Sequence, residues 1–304
     1  MARRRFSGRP VNGILLLDKP TGATSNHALQ EVKRLFNAAK AGHTGSLDPL
    51  ACGMLPICFG EATKFSQFLL NSDKAYRVTA KLGVKTTTGD SEGEIREELP
   101  VDVSEQQLHD AVMSFLGESM QVPSMYSALK HKGQPLYKLA RQGIEVEREA
   151  RPIHLYNIEI EDFSADNFTL YVECSKGTYI RSLVEDIGEK LGCGAHVTYL
   201  YRDWVADFQP DAMVSLESLR DMKEQKQFEE MDALLLPIDA ALCDLPEVTL
   251  IDAVAAYFLQ GQAVSVPDAP SEGMVKVFNS DRVFLGVAEL NAEMQLAPKR
   301  LVNL

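Results

Sequence analysis

Alternating and helix-period hydrophobic stretches follow one another along these 304 residues without a regular strand–helix–strand rhythm. That order favours an α+β fold with a mixed sheet over a doubly wound parallel one. Residues 13–18 predict a short buried strand, ended by a turn at Lys19-Pro20-Thr21-Gly22. Thr24 or Ser25 caps a helix whose apolar positions Ala28, Val32, Leu35 and Phe36 recur at three- and four-residue spacing. A helix is predicted over 61–70, a strand over 74–83, a turn-rich loop over 86–98, and a helix over 104–116 that stops at Gly117. Strands over 153–160 and 168–174 look paired. A helix follows over 178–191 with Leu183, Val184, Ile187 and Leu191 on one face, and then a strand over 195–202. Residues 211–246 read as helical and acidic. Short β-like pieces at 264–266, 274–278, 283–290 and the end, with a hairpin turn at 279–282, suffice for a small β-rich domain. The expected division is residues 1–245 and 246–304.

Residues 42–55, Gly-His-Thr-Gly-Ser-Leu-Asp-Pro-Leu-Ala-Cys-Gly-Met-Leu, hold three glycines and a proline and predict a tight loop. Pro49 biases Asp48 toward extended backbone. Asp48 then has two readings: a cap for the segment from Leu50 onward, or a reactive carboxylate on a rigid turn. His43 stands five residues earlier.

The net charge of −12 argues against nucleic acid, but its distribution does not. Residues 1–50 carry eight Lys/Arg against three acids, and 126–151 six against three, while 211–304 carry sixteen acids against seven bases. Residues 121–152 form an excursion in which Tyr126, Lys130, Lys132, Tyr137, Lys138 and Arg141 interleave. That texture suits an RNA strand, or an exposed helix face. Five scattered cysteines suggest neither disulfides nor zinc, and with no signal-peptide core or membrane-length apolar run the expected location is cytoplasmic. Phosphate-loop, dinucleotide, zinc-protease and acyl-serine motifs are absent, which leaves a carboxylate-centred reaction needing no cofactor and no metal.

Five ordered blocks between residues 10 and 205 resemble the TruB family of tRNA pseudouridine synthases. They are 17–22 with Thr24-Ser25; 42–55; Gln121-Val-Pro with 127–130; 176–183; and 194–197 with Leu200 and Arg202. Tyr76 stands where that family has an active-site tyrosine. The resemblance implies uridine-to-pseudouridine isomerisation in the T-loop of tRNA, an α+β catalytic fold, a PUA-like C-terminal domain and an RNA-gripping insertion at 121–152. It implies Asp48 as nucleophile, Arg181 as its partner through paired hydrogen bonds, and Tyr76 stacking on the flipped base. His43 fills the vacated space, Tyr179 and Leu200 line the uracil pocket, and Lys19 supports the loop. Lys130, Arg141 and Arg3–Arg5 contact phosphates. On local pattern alone, Arg181 reads as a helix-surface residue and Tyr76 and Leu200 as core strand positions. Ser124, Cys52 and Tyr201 depart from the family's usual proline, threonine and arginine. An RNA-binding module without catalysis uses the same insertion and remains the rival reading. Nothing demands more than a monomer.

Overall fold

The computed structural model describes residues 8–267 and 272–303, so Arg3-Arg4-Arg5 lie outside the described residues. β1 (Gly13–Lys19) is apolar and buried nearly throughout, as a strand covered on both faces must be. α1 (Ser25–Leu35) begins where Thr24 Oγ1 accepts from the His27 amide. β2 (Ala41–His43) pairs antiparallel with β3 (Cys52–Phe59). Only residues 44–51 therefore form the loop expected over 42–55; its two ends are zipped into the sheet. Gly53 lies inside β3 at φ +92°, and a Cβ there would meet the Arg202 carbonyl oxygen at 2.4 Å. This glycine serves close approach of two strands rather than looseness. The helix expected over 61–70 is broken at Phe65 into a 3₁₀ turn, Gly60–Lys64, and α2 (Ser66–Asn71).

β4 (Lys74–Leu82) matches expectation. The 86–98 segment is not loop throughout: β5 (Val84–Thr86) and β6 (Ile95–Glu98) form a hairpin around a polar turn. α3 (Glu105–Met113) starts with a Ser104–Gln107 capping box and stops short of Leu116, and Gly117 opens β7 (Gly117–Gln121). The insertion carries a small hairpin, β8 (Lys130–His131) with β9 (Gln134–Pro135), and α4 (Leu136–Ala140). β10 (Arg151–Ser164) and β11 (Asn167–Cys174) pair as expected. α5 (Ile180–Leu191) and β12 (Ala195–Val205) follow.

The acidic 211–246 segment is helical only in part, holding β13 (Val214–Ser215), α6 (Leu216–Glu224), α7 (Phe228–Ala233) and a 3₁₀ turn, Ile238–Leu242. The tail holds β14 (Glu247–Leu250), α8 (Asp252–Leu259), β15 (Val264–Ser265), β16 (Gly273–Asn279), β17 (Phe284–Leu290) and β18 (Gln295–Leu301). β14 and α8 were not expected there. α8 is apolar on nearly every side, so no helical period marks it.

Nine strands make one mixed sheet in the order β13-β1-β3-β12-β4-β11-β10-β7, with β2 beside β3. Within this sheet only β1–β13 and β3–β12 pair parallel among the described residues. Five tail strands make a second sheet, β14-β16-β17-β18-β15. Alternate residues of β1 feed different cores. Leu15 and Leu17 pack with α1, α5 and α6, whereas Ile14 and Leu16 pack with Phe65, Leu69, Phe278, Phe284 and Val287. The second sheet is thus held against the back of the first, leaving the helix-bearing side to carry the site. No helix among the described residues is long and apolar enough to cross a membrane.

Candidate active site

Three anchors fix the 44–51 loop. Ser25 Oγ, buried in the first turn of α1, accepts from the Leu47 amide at 2.7 Å and donates to the Leu47 carbonyl at 2.9 Å. The Gly22 amide donates to the Pro49 carbonyl at 2.7 Å. Arg202 donates to the carbonyls of Gly45 (3.1 Å) and Met54 (2.7 Å). Lys19 acts one step back: its ammonium donates to the carbonyls of Pro20 and Ala23 and so shapes the turn that holds Pro49. Burial lowers the Lys19 pKa to about 8.

This loop presents Asp48 to Arg181 on the first turn of α5, with Oδ2 to Nε at 3.0 Å. Arg181 is 5% exposed, so its surface reading is overturned. The expected paired hydrogen bonds are also corrected: the two groups meet as an ion pair, Nε against Oδ2, and the guanidinium's hydrogen bonds go to other acceptors. The fork is used elsewhere: Nη1 donates to the Thr88 carbonyl and Nη2 to the Tyr126 carbonyl, each at 2.8 Å. One guanidinium thereby joins the Asp48 loop, the β5–β6 turn and the insertion. Asp48 keeps 40% of its side chain exposed, so the carboxylate faces outward while the guanidinium behind it is enclosed. Burial pushes its pKa up; the Arg181 charge opposes this and Asp90 adds to it.

Tyr76 lies opposite Arg202 across β4 and β12, buried. Burial raises its phenol pKa against the pull of Arg202, so it is neutral at physiological pH. His43 is half-buried, with burial first and Arg202 second lowering its pKa, and its Nδ1 has no hydrogen-bond partner. Tyr179 immediately precedes α5 and lies in the electrostatic reach of Arg181 and Asp48, as does Tyr76 for Asp48. Leu200 is buried in β12, its carbonyl accepting from Cys52 Sγ. Lys130 and Arg141 are exposed on the insertion and do not join this cluster; Arg141 sits over the Tyr137 ring at 5.7 Å. A cleft of about 470 Å³ lies between the insertion and α5, lined by Thr88, Tyr126 and Ser182 among others but not by Asp48.

Sequence reasoning assigned no role to Asp90 or Arg202. Asp90 is buried, accepts from Thr88 Oγ1 at 2.5 Å, and stands 3.7 Å from Arg181 Nη1. Its one signal was an acid between two glycines in a polar turn. Arg202 falls within a recognised block but in a strand that is buried over much of its length, where an arginine merits suspicion.

Family comparisons agree over the whole chain. Residues 33–180 match the TruB family pseudouridylate synthase N-terminal domain, 181–243 the tRNA pseudouridylate synthase B C-terminal domain, and 246–302 the pseudouridine synthase II TruB C-terminal domain. The chain is 58% identical over 309 residues to the tRNA pseudouridine synthase B of Tolumonas auensis, covering 99% of this chain and 95% of that one. It is 58% identical over 308 residues to the protein of the same name from Aeromonas salmonicida, covering 99% and 97%. In fold it resembles a protein in an H/ACA RNP bound to a substrate RNA containing 2′-deoxyuridine, at a TM-score of 0.75 and 23% identity over 100% of this chain and 92% of that one. It also resembles one in the archaeal box H/ACA sRNP Nop10–Cbf5 complex, at 0.73 and 24% over 99% and 92%. With identity this high across nearly the full length, this chain belongs to the TruB family of tRNA pseudouridine synthases.

Proposed function

We propose that this enzyme isomerises uridine at the T-loop position conventionally numbered 55 of tRNA, as a cytoplasmic monomer that grips the T-stem-loop, with Asp48 as the reacting carboxylate. The observation that carries this reading is the outward-facing Asp48 carboxylate held 3.0 Å from an enclosed Arg181 guanidinium. The target base is stacked within the loop and is extruded first. His43 fills the space it leaves. Tyr76 stacks on the uracil, and Tyr179 and Leu200 flank it. The bond from C1′ to N1 breaks, the base turns, C1′ bonds to C5, the C5 hydrogen departs as a proton and N1 takes one up, so the reaction is redox-neutral and needs no cofactor. Asp48 starts it by attack on base or sugar, or by taking a sugar proton. The exposed Lys130, Lys132 and Arg141 meet phosphates, and the tail sheet adds a PUA-like RNA contact.

The test is tritium release from C5-labelled uridine in an unmodified tRNA transcript, with the product mapped in the T-loop. Asp48→Asn is expected to release none while binding tRNA within about two-fold of the parent, because only the attacking oxygen is lost. Normal turnover by that variant removes Asp48 from the mechanism, and a product confined to another loop removes the site assignment.

A further inference from the structure

Gln121 ends β7 and begins the insertion. Its side chain is buried and turned toward α5, where the carboxamide engages both polar groups of one residue. Oε1 accepts from the Tyr179 amide at 2.8 Å, and Nε2 donates to the Tyr179 carbonyl at 3.1 Å. Tyr179 leads into α5 without any side-chain cap, and its carbonyl already accepts the first helical bond, from the Leu183 amide at 3.1 Å. Nothing else in α5's own sequence fixes how the helix starts. One further contact lies within six residues of Gln121: the Tyr126 carbonyl accepts from Arg181 Nη2 at 2.8 Å.

We propose that Gln121 is a positioning residue, a two-point clamp that sets Tyr179 and Arg181 relative to Asp48 and ties that setting to the root of the insertion. The inference rests on the placement of Tyr179 and Arg181 in the site argued above. A carboxamide suits the task because it offers one acceptor and one donor side by side, which a carboxylate cannot do unless protonated. The clamp matters more than an ordinary buried hydrogen bond because the residue it holds lies two positions from the guanidinium facing the reacting carboxylate. A displacement of about 1 Å at such a site costs on the order of 100-fold in rate.

Gln121→Glu tests this with a signature that loss of packing does not give. When ionised, the introduced carboxylate keeps the bond from the Tyr179 amide and repels the Tyr179 carbonyl; when protonated, it restores both bonds. The charged groups around Tyr179 are Arg151, Arg181 and Asp48. All three are present alike in the parent, so taking the ratio to the parent at each pH removes their own contribution. The measured quantity is single-turnover tritium release at saturating tRNA, as a ratio to the parent at each pH, with tRNA affinity and thermal unfolding recorded alongside. The expected ratio is a loss of roughly 10- to 100-fold near pH 8 that shrinks as pH falls toward about 5.5, with affinity within about two-fold. Gln121→Met, which offers neither bond, is expected to show a comparable loss at every pH, and it reads the clamp alone if the Gln121→Glu variant does not fold. A Gln121→Glu ratio independent of pH in folded protein, or a Gln121→Met variant at the parent rate, overturns the clamp. The Asp48→Asn control separates the two readings: turnover there defeats the site assignment, whereas an inactive Asp48→Asn beside a fully active Gln121→Met defeats only the clamp.

Discussion

Replacing Arg181 by lysine tests whether the site depends on the guanidinium's shape or only on its charge. Arginine reaches the Asp48 carboxylate at 3.0 Å and the carbonyls of Thr88 and Tyr126 at 2.8 Å each. An ammonium at the end of a flexible stem serves one of these directions at a time. Two partners are then left without a donor, each at a cost of about 1–3 kcal/mol if it stays buried. The segments relax apart instead, and about 1 Å of misplacement costs on the order of 100-fold. Misdirection of the partly enclosed ion pair that orients Asp48, on the order of 1.5–3 kcal/mol, adds roughly another 10- to 150-fold. The expected fall in single-turnover tritium release is thus about 10³- to 10⁴-fold, with tRNA affinity within about three-fold because the phosphate contacts are untouched. Arg181→Met adds a pH test. The Arg181 charge pulls the Asp48 carboxyl down against burial. Without it burial and Asp90 act unopposed by that charge, more Asp48 is protonated at a given pH, and the acid limb of the rate moves to higher pH. A lysine variant within about three-fold of the parent would refute the argument from shape. A methionine variant whose acid limb stays in place would refute the electrostatic one.

Two further outcomes follow from the same geometry. Changing Lys130, Lys132 and Arg141 together to glutamine is expected to weaken tRNA binding and to reduce the slope of log affinity against log salt by about 2–3, while leaving the saturated single-turnover rate near that of the parent; filter binding over a salt series measures it. Gly53→Ala places a Cβ 2.4 Å from the Arg202 carbonyl oxygen at φ +92°. It is expected to destabilise the fold by roughly 2–4 kcal/mol in denaturant titration, because strain at positive φ and overpacking act together.

Much of the fold is legible in the sequence because its elements bury one face. β4 alternates residue by residue, and α1 carries Ala28, Val32, Leu35 and Phe36 on one side. The failures share a cause, which is that local pattern does not report tertiary pairing. Residues 52–55 look like loop because glycine and proline crowd them, yet β1 and β12 pair with them. The β5–β6 hairpin is polar and short, and α8 has no polar face to set a period. The contact between Asp48 and Arg181 is invisible to any local rule. The loop alone left Asp48 open between capping and chemistry, and α5 alone left Arg181 on its surface. Only the ordered blocks paired them. Asp90 escaped even that, because an acid in a run of Thr, Gly, Asp, Ser and Glu carries no mark of burial.

The two enclosed arginines complete the physical logic. Arg181 has a carboxylate partner, whereas among the described residues Arg202 pairs with none. Only 1% exposed, Arg202 donates to two backbone carbonyls and stands opposite Tyr76 across β4 and β12. A guanidinium so enclosed and without a counter-charge is costly to fold around. The Arg202 charge lies beneath the Asp48 loop, where it lowers the pKa of His43 and works against the rise that burial imposes on Tyr76. Burial first and Arg202 second thus favour the neutral ring of His43, which is shielded from water at less cost than an imidazolium. The carbonyl bonds to Gly45 and Met54 meanwhile pin both ends of the turn that carries Asp48. Arg202 thus holds the loop and sets the charge state of its neighbours, which leaves Arg181 free to face the carboxylate and bind the insertion to it.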